Sequence, residues 1–70
     1  MKLSLKAARI NKNLTRKQVA AAVGVCDFMI GAYERGDATP SLKTALALAN
    51  VYGVPVEDLI FKKRNPLKNG

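Results

Sequence analysis

The chain has no histidine and a single cysteine, Cys26. One thiol cannot close an internal disulfide, and such a chain suits a reducing cytosol, so a cytoplasmic location is expected. With histidine absent and only one thiol, no zinc site is expected, and no cofactor. A nucleophile–base pair is equally hard to assemble, because the five acidic residues are scattered along the chain. An enzyme is therefore not expected. The apolar runs are far too short to span a membrane. No long apolar stretch with a following cleavage site opens the chain, so no signal peptide is expected. Negative charge is scarce as well: 12 Lys and Arg stand against 5 Asp and Glu, a formal net charge of +7. That excess favours a polyanionic partner, with nucleic acid first and an anionic membrane surface second, against the plain alternative of solubility alone.

What is present suits one small domain. Seventy residues, 49% of them hydrophobic, match a globular fold with a limited core. No repeat or linker divides the chain. Its composition shifts only at the end, which predicts a domain over 1–61 and a basic, flexible tail over 62–70. Local signals predict an all-α domain of five short helices. Ser4 caps the first, which runs to Lys12 and stops at Asn13; Leu5, Ala8 and Arg9 share one face, while Leu3, Ala7 and Ile10 form a second apolar stripe. Thr15 and Gln18 form a capping box at the start of the second, with Leu14 and Val19 placed as a hydrophobic staple. Gly24 ends that helix, and only two residues separate it from a third over about Asp27 to Glu34. Ser41 caps a fourth from Leu42 to Tyr52, whose apolar positions cover most of its circumference. Pro55, Glu57 and Asp58 open a short fifth that buries Leu59 and Ile60. Phe61 to Lys63 could extend.

The informative stretch is Arg16 to Tyr33. Val19 and Val23 face inward, small Ala20 lets another helix pass over it, and Gly24 reaches a backbone conformation that other residues resist. Two helices joined by so short a turn make a helix-turn-helix. The order Leu5 and Arg9, Leu14-Thr15, Gln18-Val19-Ala20, Val23-Gly24-Val25, Ile30, Tyr33-Glu34-Arg35-Gly36, Pro40-Ser41-Leu42, Leu48-Ala49, Gly53-Val54 and Leu59 resembles the Cro/phage-repressor-type (XRE-like) helix-turn-helix family of transcription regulators.

The resemblance implies five helices and binding of a double-stranded DNA operator, usually as a homodimer. By position it implies phosphate contacts from Arg16, Lys17, Cys26 and Arg35. It places Asp27, Phe28 and Ala32 where bases are read, with Met29 and Gly31 beside them, and it implies an ion pair between Arg9 and Glu34. Ile30 and Tyr33 already fill the inward face, so Phe28 and Met29 are expected at the surface. Gly31 would let the backbone approach DNA closely. The chain departs from the family pattern on this surface, which is acidic, aromatic and small; Cys26 replaces the usual Ser or Thr, and Asp37 stands where a basic residue is common. A carboxylate can accept from cytosine N4, and Phe28 and Ala32 can pack on thymine methyls. No arginine lies between Asp27 and Glu34, so arginine recognition of guanine is not expected there. Apolar crowding at Val54, Val56, Leu59, Ile60 and Phe61 predicts a weak symmetric dimer through the fifth helix, with Val56, Leu59, Ile60 and Phe61 in contact. No small-molecule ligand is expected. The alternative is a protein-interaction module of the same fold, such as an anti-repressor or antitoxin component, with little DNA affinity.

Overall fold

Three of the helices start where a side chain satisfies an amide that lacks an intrahelical partner. The computed structural model describes residues 2–61; the basic tail expected over 62–70 lies outside them. Helix α1 spans Leu5–Asn11, with the Ser4 hydroxyl accepting from the Ala7 amide. Asn13, in the left-handed region at φ 56, turns the chain out of it. Helix α2 spans Arg16–Val23 behind a complete capping box: Thr15 accepts from the Gln18 amide and Gln18 accepts from the Thr15 amide. Gly24 ends α2 at φ 88, a conformation that favours glycine. Helix α3 is Asp27–Arg35 and helix α4 is Leu42–Tyr52, the latter capped by Ser41.

The expected fifth helix is not formed. Val56–Asp58 make a single 3-10 turn, and Leu59–Ile60 leave it as an extended strand. That strand, β2, pairs in parallel with β1 at Leu3–Ser4, Leu3 opposite Leu59 and Ser4 opposite Ile60. Three residues are too few to sustain an α-helical turn here, and pairing across the two ends of the domain gives their backbones partners instead. Strand alternation then separates two residues expected to be buried together: Leu59 is 5% exposed and Ile60 is 48% exposed. Among the described residues the result is four helices and a short strand pair.

The core gathers Leu5 and Ala8 of α1, Val19 and Ala20 of α2, Ile30 and Tyr33 of α3, and Leu48, Ala49 and Tyr52 of α4, closed by Leu59. Two apolar stripes are less covered than their patterns suggest. Ile10 on α1 is exposed, as are Leu42 and Leu46 on α4, because α4 meets its neighbours on the side of Ala45, Leu48, Ala49 and Tyr52. No described helix is long and apolar enough to cross a membrane.

Candidate nucleic-acid interface

The α2–α3 pair is packed face to face and held at two points. The Gly24 amide donates to the Ala20 carbonyl, as does that of Val25, so the chain reverses within one turn of α2. Behind the pair, Arg9 of α1 meets Glu34 of α3: Nε donates to Oε2 at 2.6 Å and Nη2 to Oε1 at 3.3 Å. Arg9 Nη1 also donates to the Leu14 carbonyl at 3.0 Å, tying the residue before the α2 cap to the same pair. These side chains are only 13% and 8% exposed. The Glu34 hydrogen bond holds the Arg9 guanidinium above its ordinary pKa, against the opposing effect of burial. Tyr52, deep in the core, has a hydroxyl without a hydrogen-bond partner among the described residues, and burial pushes its pKa up to about 12.

The opposite side of α3 faces outward. Asp27 is exposed in its first turn, and Phe28 is 69% exposed. Met29 is half-buried and packs against the core, so it is only partly available at the surface. Cys26 occupies the cap position of α3 and is exposed, but its thiol makes no capping hydrogen bond. Arg16 and Lys17 are exposed in the first turn of α2.

Two residues of the expected readout surface are placed differently. Ala32 is 4% exposed. Gly36 turns the chain back at φ 85, and the Asp37 and Ala38 amides close on the Ala32 carbonyl, so this part of α3 is folded in. Gly31 is buried too, and the space over it is not open to DNA. A Cβ there would lie 3.0 Å from Arg16 Nη1 and 3.1 Å from Arg35 Nη1. The guanidinium groups of two arginines therefore rest on this face of α3, although no arginine lies between Asp27 and Glu34. Counting residues along one helix missed them, because Arg16 arrives from α2 and Arg35 folds back from the last turn. Arg35 is held further by Asp37, Nε to Oδ2 at 2.9 Å, and its guanidinium carbon stands 5.9 Å from the Phe28 ring centroid. Asp37 thus pairs with the arginine beside it. The one legible signal was the i, i+3 and i+7 spacing of Phe28, Gly31 and Arg35.

At the other end of the molecule, the residues expected to carry a dimer are unequally available. Leu59 belongs to the core of the single chain, and Val56 and Phe61 are half-buried against it. Ile60 alone of the four projects clearly outward.

A model of the helix-turn-helix family matches residues 5–59. An uncharacterized HTH-type transcriptional regulator of Methanocaldococcus jannaschii is 42% identical over 59 residues, covering 84% of this chain and 89% of the relative. A second uncharacterized HTH-type transcriptional regulator, from Archaeoglobus fulgidus, is 36% identical over 59 residues, 84% of this chain and 83% of its own length. The cryptic phage CTXphi transcriptional repressor RstR of Vibrio cholerae is 38% identical over 52 residues, or 74% of this chain; the match spans 47% of that repressor. No solved structure gives a significant match.

Proposed function

The chain belongs to the helix-turn-helix family, and on that premise we propose that it is a sequence-specific, DNA-binding transcription regulator acting in the cytoplasm. The observation that carries this reading is the outward face of the α2–α3 pair, where Arg16 and Arg35 converge over Gly31, Arg35 stands beside the exposed Phe28 ring, and Lys17 and Asp27 are exposed in the first turns of the two helices. In such a pair the first helix lies across the DNA backbone and the second enters the major groove; phage repressors are the standard examples of this docking, and its geometry is taken from them. Arg16, Lys17 and Arg35 then meet phosphates, joined by Cys26 and the start of α3, which no side chain caps. Phe28 packs on a thymine methyl and Asp27 accepts from cytosine N4. Ala32 and Gly31 drop out of direct base contact, since one is folded in and the other lies under arginine. No group on this face calls for catalysis.

We place the dimer contact at the β2 edge, through Ile60 with Phe61; two half-sites one DNA turn apart require its recognition helices to lie about 34 Å apart. The test is selection from random DNA followed by ultracentrifugation of the bound complex. A palindromic motif bound by two chains is the expected result. Failure to enrich any sequence, at a salt concentration where binding to random fragments is also absent, would favour a second reading. In that reading the exposed Phe28 contacts a protein, and the domain is an interaction module.

A further inference from the structure

Gly31 stands in the second turn of α3, a position where glycine weakens a helix relative to almost any other residue. Its φ is not in the left-handed region, so the backbone does not require it. What the missing side chain provides is space. Arg16 Nη1 and Arg35 Nη1 lie 3.0 Å and 3.1 Å from the point where a Cβ would sit, and Arg16 Cδ is 3.9 Å from it. Both close approaches are tighter than ordinary van der Waals contact, so a Cβ could enter only if the guanidinium groups withdrew. Two like charges brought to one spot repel each other, and that repulsion favours an anion lying between them. Arg35 is set in place beforehand by Asp37 at 2.9 Å and by the Phe28 ring. Arg16 is set by its position in the first turn of α2.

We propose that Gly31 is a positioning residue. Its lack of a side chain seats Arg16 and Arg35 together as one two-guanidinium clamp for a single phosphate group of the DNA backbone. The inference rests on the DNA-binding reading and adds to it a residue that touches no DNA itself. A phosphate fits better than a base edge. The clamp joins the start of α2, which lies across the backbone, to the later turns of α3, where the helix leaves the groove. A guanidinium can present two N–H donors to two oxygens of one phosphate, and Arg35 keeps its terminal nitrogens for this while its Nε is held by Asp37.

The test is a series at one position, Gly31→Ala and Gly31→Leu, both better helix formers than glycine. For Ala the two groups must withdraw by a few tenths of an ångström; for Leu both are displaced. Melting temperature should rise, by roughly 2–8 °C for Ala. Affinity for random duplex DNA should nevertheless fall, about 3-fold for Ala and 10-fold or more for Leu. With Leu the slope of log K against log salt should become shallower by about 1 per chain, the signature of one lost phosphate. In the Gly31→Leu background, Arg16→Ala should then change little. Multiplying losses would mean instead that the new side chain strikes DNA, which overturns the proposal. So would unchanged affinity in Gly31→Leu, or a loss confined to the selected operator, which would assign the clamp to a base. A second arm needs no DNA: inorganic phosphate should shift the Arg16 and Arg35 Nε–H resonances together in the wild-type chain and not in Gly31→Leu. Coupled shifts without DNA binding would retain the clamp and refute the DNA-binding reading. Absence of shifts in the wild type would overturn the clamp.

Discussion

Glu34→Gln exchanges a carboxylate for a neutral amide of the same shape, next to an arginine that is largely shielded from water. Arg9 and Glu34 are 13% and 8% exposed, and two hydrogen bonds, at 2.6 Å and 3.3 Å, join them. The substitution leaves the Arg9 charge in place, with an amide oxygen as its remaining partner on that side. Breaking one half of a fully buried pair costs about 3–5 kcal/mol, and this pair is partly buried. The retained acceptor places Glu34→Gln at the lower end, about 3 kcal/mol. A domain of 70 residues is expected to have only about 3.5–10 kcal/mol in total, from 0.05–0.15 kcal/mol per residue. The loss is therefore a large fraction of the whole, and it should lower the melting temperature by about 12–24 °C, at 4–8 °C per kcal/mol for a domain of this size. Arg9→Met should cost more, because it strands the Glu34 carboxylate and also removes the donor to the Leu14 carbonyl at 3.0 Å. The double variant Arg9→Met, Glu34→Leu should recover most of either loss, since no charge is left buried, with the Leu14 carbonyl accounting for the remainder of about 1 kcal/mol. Thermal unfolding followed by circular dichroism reads all four chains. A Glu34→Gln chain melting within about 2 °C of wild type would refute the reasoning, as would a double variant no more stable than the worse single one.

Cys26→Ser should raise stability by about 0.5–1 kcal/mol, because a hydroxyl can accept from the α3 amides that the thiol leaves uncapped; a fall in melting temperature would count against it. Tyr52→Phe should be at least as stable as wild type near neutral pH, since the hydroxyl it removes has no partner among the described residues. The same substitution tests the alkaline limb. The folded Tyr52 titrates at about 12 and the unfolded one near 10, so its contribution is full below pH 10 and is lost as pH rises through 12. Wild type should thus lose more stability than Tyr52→Phe between pH 10 and 12, and parallel curves would refute the assignment. Phe28→Ala should weaken binding to a selected operator by about 1–3 kcal/mol and random DNA by less; equal losses on both would remove Phe28 from base readout.

Much of the domain was legible because its signals act over four residues or fewer. Ser4, Thr15 with Gln18, and Ser41 cap helices that begin where their hydroxyls reach an amide three residues on. Asn13, Gly24, Gly36 and Gly53 end them through positive φ. The inward positions Val19 and Ala20 of α2 and Ile30 and Tyr33 of α3 followed from local pattern, and the order of these short signals pointed to the helix-turn-helix family whose model matches residues 5–59. The fifth helix was misread because Pro55, Glu57 and Asp58 are genuine helix-start signals. They act here on a segment whose later residues pair with β1 instead.

The sequence alone determined where the helices start and stop, the basic character of the chain and the short turn between α2 and α3, since each depends on neighbouring residues or on composition. Only the tertiary structure decided which side chains share a surface. Leu3 finds Leu59 across 56 positions of chain, Leu42 and Leu46 stay outside because α4 docks by its other side, and Ala32 is folded in by the turn at Gly36. Arg16 and Arg35 meet over Gly31 for the same reason. Their convergence depends on how two helices are packed together, and no period within either helix encodes it.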